Sequence, residues 1–300
     1  MPPKRTYNAG HFALVLDGEE TTLLNSVTGG DIWAEVITSS PRGTGESPPK
    51  HIGSPHYDPI VMTVGMSMGK GLQEWIQAFL AGSATRKNGA IIAADFDYKE
   101  QRQITFHNAI ITSITFPALD GSSKDAAYLT ITIQPEYIVA SPGSGQQLKA
   151  SLSKAKNWRV SNFTFKLANL PCDRVSQISS LIVKSSLTEE DLGIVREPVR
   201  YPGRLEFPDI VITLAAVDLA QWEAWFESFV IKGHNSQGEE LSGSITYLSP
   251  NLKTELGQVQ LDHVGIYALT TFPVSGGQNT IDRYQAKLYC NDLKFEMKLN

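Results

Sequence analysis

The sequence predicts a mainly β protein built of two tandem antiparallel β-barrel or sandwich domains, each flanked by one α-helix. Three observations predict it. An apolar strand followed by an amphipathic helix occurs twice at a fixed separation. Period-two strands follow each helix, and the order of elements is the same in both halves.

The strand Pro59-Ile60-Val61-Met62-Thr63-Val64 is matched by Asp209-Ile210-Val211-Ile212-Thr213-Leu214 at one offset (210 − 60 = 150). The same offset carries Leu72, Trp75, Ile76, Phe79 and Leu80 onto Trp222, Trp225, Phe226, Phe229 and Val230. That spacing places five apolar side chains on one face of a helix in each half. Downstream, Ile104, Phe106, Ile110, Ile114 and Phe116 alternate with polar residues, and the run from Val259 to Leu269 repeats the pattern. Each run leads to a Phe-Pro pair, Phe116-Pro117 and Phe272-Pro273. A last strand has Leu129, Ile131 and Ile133 on one face in the first half and Tyr284, Ala286 and Leu288 in the second. At the front, Phe12, Leu14 and Leu16 correspond to Phe163, Phe165 and Leu167, and the strand around Ile32 and Val36 to that around Ile178 and Ile182.

The predicted domains span 8–140 and 159–299, joined by a linker at 141–158 that holds Ser141-Pro142-Gly143-Ser144-Gly145 and several lysines. Each half carries a long insertion, Ser39 to Tyr57 and Ser185 to Phe207, read as a functional loop.

A net charge of -5 leaves no overall basic surplus for nucleic-acid phosphates, so no specific nucleic-acid partner is expected. Lys4 and Arg5 are not followed by the apolar core of a secretory signal, and no run reaches the length of a membrane span. Synthesis and folding in the cytoplasm without a signal peptide are therefore expected. Cys172 and Cys290 have no metal-like spacing and read as two free thiols.

With the repeat established, the run Val61-Met62-Thr63-Val64-Gly65-Met66-Ser67-Met68-Gly69-Lys70-Gly71-Leu72-Gln73-Glu74-Trp75-Ile76 resembles the strand, turn and helix of the contractile phage tail tube family. That family includes the tubes of extracellular contractile injection systems. Leu129 to Ile138 is similar to its closing strand, and Phe106-His107-Asn108-Ala109 to its central strand. The resemblance implies a barrel whose sheet joins those of neighbouring subunits around a channel, with the long loop reaching an adjacent subunit or ring. Two departures stand out: the chain has two units where family subunits have one, and the second departs from the motif at Ala215-Ala216-Val217-Asp218-Leu219 and Tyr289-Cys290-Asn291. Three such chains would supply six units, a threefold ring with pseudo-sixfold symmetry suited to a hub, baseplate or end junction.

The motifs of other functions are weaker. Gly65-Met66-Ser67-Met68-Gly69 has nucleophile-elbow spacing, but an elbow needs a parallel sheet, a histidine and an oxyanion hole, and the second half has Ala215 to Leu219 there. His51 and His56 have no third ligand at a metal spacing. Lys70 is followed by glycine rather than Ser or Thr, so it is no phosphate loop. The sequence assigns no catalytic, cofactor-binding or metal residues and expects no cofactor. It reads as a non-catalytic tube-ring component of a phage tail or injection particle, partnered by its own copies and by tube, hub or terminal proteins. A tandem-barrel small-ligand module and a hydrolase using Ser67 are the rival readings.

Overall fold

The computed structural model describes residues 10–40, 47–148, 158–190, 199–271 and 283–298. The first part of the chain forms β1 (His11–Leu16), β2 (Glu19–Leu24), β3 (Ser26–Gly29), β4 (Ile32–Thr38), β5 (Lys50–Tyr57), β6 (Ile60–Val64), α1 (Lys70–Leu80), β7 (Lys87–Ala94), β8 (Glu100–Phe116), β9 (Leu119–Asp120), β10 (Leu129–Gln134) and β11 (Tyr137–Pro142). The remainder forms β12 (Phe163–Leu167), β13 (Gln177–Ile178), β14 (Leu181–Glu190), β15 (Val199–Glu206), β16 (Ile210–Ala215), α2 (Leu219–Phe226), β17 (Leu241–Leu248), β18 (Glu255–Thr271) and β19 (Arg283–Met297).

Among the described residues all of the strand pairs are antiparallel. One sheet follows the order β2-β1-β7-β8-β10-β6-β3, with β11 paired to β8 and the β14–β15 hairpin joined to β8 through β14. The other follows β12-β17-β18-β19-β16-β13-β9. Neither path closes on itself, so the barrel form of the prediction is corrected: within one chain these are open sheets. A single apolar core runs through both, from Leu14, Trp75 and Ile114 to Trp222, Tyr247 and Leu288.

The helix α1 forms where its pattern requires. Leu72, Trp75, Ile76, Phe79 and Leu80 are all buried. The Trp75 indole N–H donates to the Thr85 carbonyl at 2.9 Å. The helix stops at Gly82, whose left-handed φ of 76° favours glycine. There Gly82 N–H donates to Phe79 O at 2.9 Å and Ser83 N–H to Ala78 O at 2.8 Å, a Schellman closure. The second helix differs: α2 runs into a π turn at Glu227–Ile231 before Gly233 at φ 72°. Phe79 and Phe229 are 150 positions apart but Gly82 and Gly233 are 151 apart, so the wide turn takes up one extra residue.

Irregularities in the two sheets fall at matching places. The β10–β8 pairing slips between Ile131↔Ile114 and Ile133↔Ile111, and β18–β19 slips between Leu269↔Ala286 and Ile266↔Leu288. Asn108 and His263 both take left-handed φ, 49° and 57°, in the middle of long strands (263 − 108 = 155). Gly89 opposite Phe106 and Gly243 opposite Leu261 both adjoin a bulge. A Cβ on Gly89 would lie 2.3 Å from Val15 O, and one on Gly243 2.4 Å from Lys166 O.

The two predicted insertions are corrected as well. Ser39 to Tyr57 contains β5, which pairs with β4, and Ser185 to Phe207 contains most of the β14–β15 hairpin. Both hairpins slip at the same step, Ala34/Val36 in one and Ser185/Leu187 in the other. Ile178 pairs with Ile212 as Val27 pairs with Met62. The counterpart of β13 is therefore β3, and the strand carrying Ile32 and Val36 is matched by β14, which holds Ile182 but not Ile178. Ser141 and Pro142 of the expected linker end β11, and Leu148 is buried against Ala13 and Ile92. Positions 149–157 and the Phe272-Pro273 pair lie outside the described residues.

Candidate assembly interface

The strand β8 changes neighbours at the left-handed Asn108. Upstream it pairs with β7 and β11, and downstream with β10 and β14. On the β7 side its last residues would be an open edge, and β14 fills that edge: Leu181↔Phe116, Ile182↔Thr115, Val183↔Ile114 and Lys184↔Ser113. Leu181 and Val183 face the core and are buried.

A buried arginine fastens the hairpin. Arg200 is 4% exposed; its Nη1 donates to Pro135 O at 2.9 Å and its Nε to Glu189 Oε1 at 2.6 Å. Arg86 donates through Nη2 to the Arg200 carbonyl and through Nη1 to Glu136 Oε1 at 2.5 Å. Glu136 also accepts from Asn108 Nδ2 at 2.8 Å. Pro202, Gly203 and Leu205 of the hairpin then close a crevice against Trp75 and Phe79 of α1. The far end of β19 meets α1 too, with Phe295 edge-on to Phe116 at 5.2 Å.

No third strand joins the other hairpin among the described residues: β4 and β5 pair only with each other. Ile32 and Trp33 are 48% exposed, Val36 59% and Ile52 67%. Its base is held by the Trp33 indole N–H donating to Asp58 Oδ1 at 2.9 Å, with the ring stacked on His56 at 4.4 Å. Among the described residues the matching stretch of β18 is also unpaired on one side. Its pairing with β17 ends at Leu241↔Val264, while β19 follows it on the other side as far as Thr271.

Ser67 is exposed in the turn between β6 and α1, and the sheet beside it is antiparallel. His51 and His56 sit on β5, with His56 Nε2 at 4.0 Å from Glu35 and stacked on Trp33. Lys70 is exposed at the start of α1 and lies 3.4 Å from Glu74. No cluster of three or more metal-ligating side chains occurs among the described residues. Cys172 and Cys290 are free and buried, and burial pushes both thiols up to about 11. Tyr289 is pushed up to about 12 by desolvation and by its hydrogen bond to Glu240. The Asp120 carboxyl is held below the usual range, chiefly by the Ser122 hydroxyl, then by the Ser122 and Gln177 N–H groups. Among the described residues no helix is long and apolar enough to cross a membrane.

Of the aromatic stripe predicted on the second helix, Trp222 and Phe229 are buried, but Trp225 and Phe226 are only half-buried and Val230 is exposed. The Trp225 indole N–H is buried without a hydrogen-bond partner.

Residues 8–139 match the family of the T4-like virus tail tube protein gp19. Over that segment the chain is tail-tube-like. It is similar to a chain of the anti-feeding prophage cap, at 23% identity over 48% of this chain and 95% of that one, with a TM-score of 0.42. It is also similar to a chain of the sheath–tube complex of the PVC extracellular contractile injection system in its extended state, at 23% identity over 47% and 94%, TM-score 0.41. A third similarity is to a chain of the anti-feeding prophage baseplate, at 14% identity over 45% and 91%, TM-score 0.37. No curated protein matches the sequence.

The tail-tube-like segment was legible in sequence, and the joint was not. Arg200, Arg86, Glu136, Leu181 and Val183 carried no motif. The one available signal was the apolar alternation of Leu181 and Val183 ahead of the supposed insertion.

Proposed function

We propose that the chain is a non-catalytic structural ring component of a contractile tail-like injection particle. It carries two tail-tube units in tandem, at 8–140 and 159–299, joined through 141–158. Three chains make a ring of six units, threefold overall and pseudo-sixfold in its sheets, at a junction of the tube with a hub, baseplate or end ring. Its partners are its own copies and the adjoining particle proteins, and it needs no cofactor.

The observation that carries the reading is the tail tube family match over 8–139. The tandem arrangement is supported by the strand path β1-β7-β8-β10-β6-β3 beside β12-β17-β18-β19-β16-β13, and by bulges at the same steps of each. Open sheet edges support self-association, since an unpaired edge is a template for another strand and ring closure removes it. The assay is light scattering with negative-stain microscopy of the purified full chain. Closed rings of three chains are expected; a monomer at every concentration reached would overturn the proposal.

A further inference from the structure

We infer that the outer edge of β12 takes an extended segment of another protein by strand addition, in the place that β2 holds on β1, with a carboxylate of the incoming strand beside Lys166. The edge belongs to the single chain and is the same whether or not the chain forms a ring.

The template is the first half of the chain. There β2 covers β1 through Phe12↔Leu24, Leu14↔Thr22 and Leu16↔Glu19. β12 pairs with β17 as β1 pairs with β7. The stretch that could supply a covering strand is of equal length in both halves, since Ser176 follows Leu167 at the distance that Asn25 follows Leu16 (176 − 167 = 25 − 16). Both stretches also end alike, with Asn25 N–H on Thr63 O and Ser176 N–H on Thr213 O. The second nonetheless forms no ladder. Leu170 N–H turns back to Leu167 O at 3.0 Å, and Val175 N–H closes on Cys172 O at 3.1 Å. Pro171, which has no N–H, gives its carbonyl to the Trp222 indole at 3.1 Å. Among the described residues β12 therefore pairs with β17 alone.

The free groups are in phase with a strand. Ala168 N–H donates to Ser242 O at 3.0 Å and Leu248 N–H to Asn162 O at 2.8 Å, so the even-numbered residues of this strand bond to β17. In an antiparallel ladder the alternate residues turn the other way. The N–H and C=O of Phe163 and Phe165 thus point outward, and neither residue's backbone has a hydrogen-bond partner on that side among the described residues. An unpaired edge is a template for another strand, and adding a strand is a general way of gripping an extended segment.

The side chains fix what that segment carries. On the face away from the core the first half is apolar at Ala13, Val15 and Ile92, and Leu148 of the same chain packs there. The matching face of the second half reads Thr164, Lys166, Ser244, Thr246, Gln258 and Gln260, and Lys166 is the one charged residue of the six. Lys166 takes the position of Val15, which pairs with Glu20 of β2. A strand that lies on β12 as β2 lies on β1 therefore sets a carboxylate against the Lys166 ammonium, and a cation at that place is repelled.

The probe is a fluorescent synthetic peptide, residues 18–25 of this chain, titrated into the full-length protein and read by anisotropy. Saturable binding is expected. Glu20→Lys in the peptide should weaken it about fivefold, the strength of one exposed ion pair, and Lys166→Glu in the protein should reverse that preference. Methylating the peptide nitrogen of Thr22, which faces the edge, should abolish binding. Methylating that of Leu23, which faces away, should not. Amide hydrogen exchange at Phe163 and Phe165 should slow in the complex. The inference is overturned by an absence of binding up to about 1 mM, or by binding indifferent to methylation at Thr22. It is equally overturned by a peptide that displaces the chain's own β2 from β1, which would not respond to the charge at 166. Each of these results leaves the ring reading where it stands.

Discussion

Arg200 offers the sharpest test of how the β14–β15 hairpin is held. Replacing it with Met keeps most of the apolar stem and removes two hydrogen bonds. The bond to Glu189 is worth little, because that carboxylate is 53% exposed and returns to water; such a pair contributes at most about 1 kcal/mol. The bond to Pro135 O is charge-assisted and buried, the class worth about 1.5–3 kcal/mol. Its loss is softened because Gln134 Nε2 also donates to that carbonyl at 3.2 Å. Arg200→Met should therefore cost about 2 kcal/mol. Arg200→Lys should recover only part, since one ammonium cannot serve both acceptors in the geometry of the guanidinium fork. Urea unfolding followed by tryptophan fluorescence reads this as a lower midpoint at unchanged slope. A loss under about 0.5 kcal/mol, the range of neutral surface changes, would refute the view that this arginine fastens the joint.

Gly89→Ala should destabilise by about 1–3 kcal/mol, because the new methyl group meets Val15 O and the Phe106 ring well inside contact distance; thermal unfolding reads it. Ala168 is exposed at φ 43°, so Ala168→Gly should stabilise by up to about 1 kcal/mol, and a lower midpoint would contradict the strain assigned there. Cys172 and Cys290 should resist alkylation at pH 8 in the native chain and react on unfolding, as mass spectrometry would record. Because folding raises both thiols from 9.0 to about 11, their contribution to stability is complete below pH 9 and is lost as the pH climbs towards 11.

The parts of the fold legible in sequence are those with strong local periodicity. The stripe from Leu72 to Leu80 and the alternation from Leu129 to Ile133 each follow from one buried face. The hairpins were opaque because neither shows a clean alternation. Val36, Ile37 and Ile52 are exposed, and prolines and glycines stud β5 and β15, so the segments looked like loops. The joint of β14 to β8 was opaque for another reason: it pairs residues some 65 positions apart, as in Leu181 with Phe116, and long-range pairing leaves no trace in a local window. Ile178 was matched to the wrong strand because β13 is two residues long, too short to show a period.

The π turn after α2 has a consequence for how much length change this chain tolerates. Without it, the additional residue would have rotated Gly233 by about a hundred degrees of helix relative to Phe229. Widening a single turn absorbs that slack before Gly233, the loop from Gly233 to Leu241 takes up three residues more than the one from Gly82 to Lys87, and Leu241 still meets Val264 as Lys87 meets Ala109. Removing one residue from Glu227–Ile231 should restore an ordinary α-helical ending while the sheet downstream stays in phase.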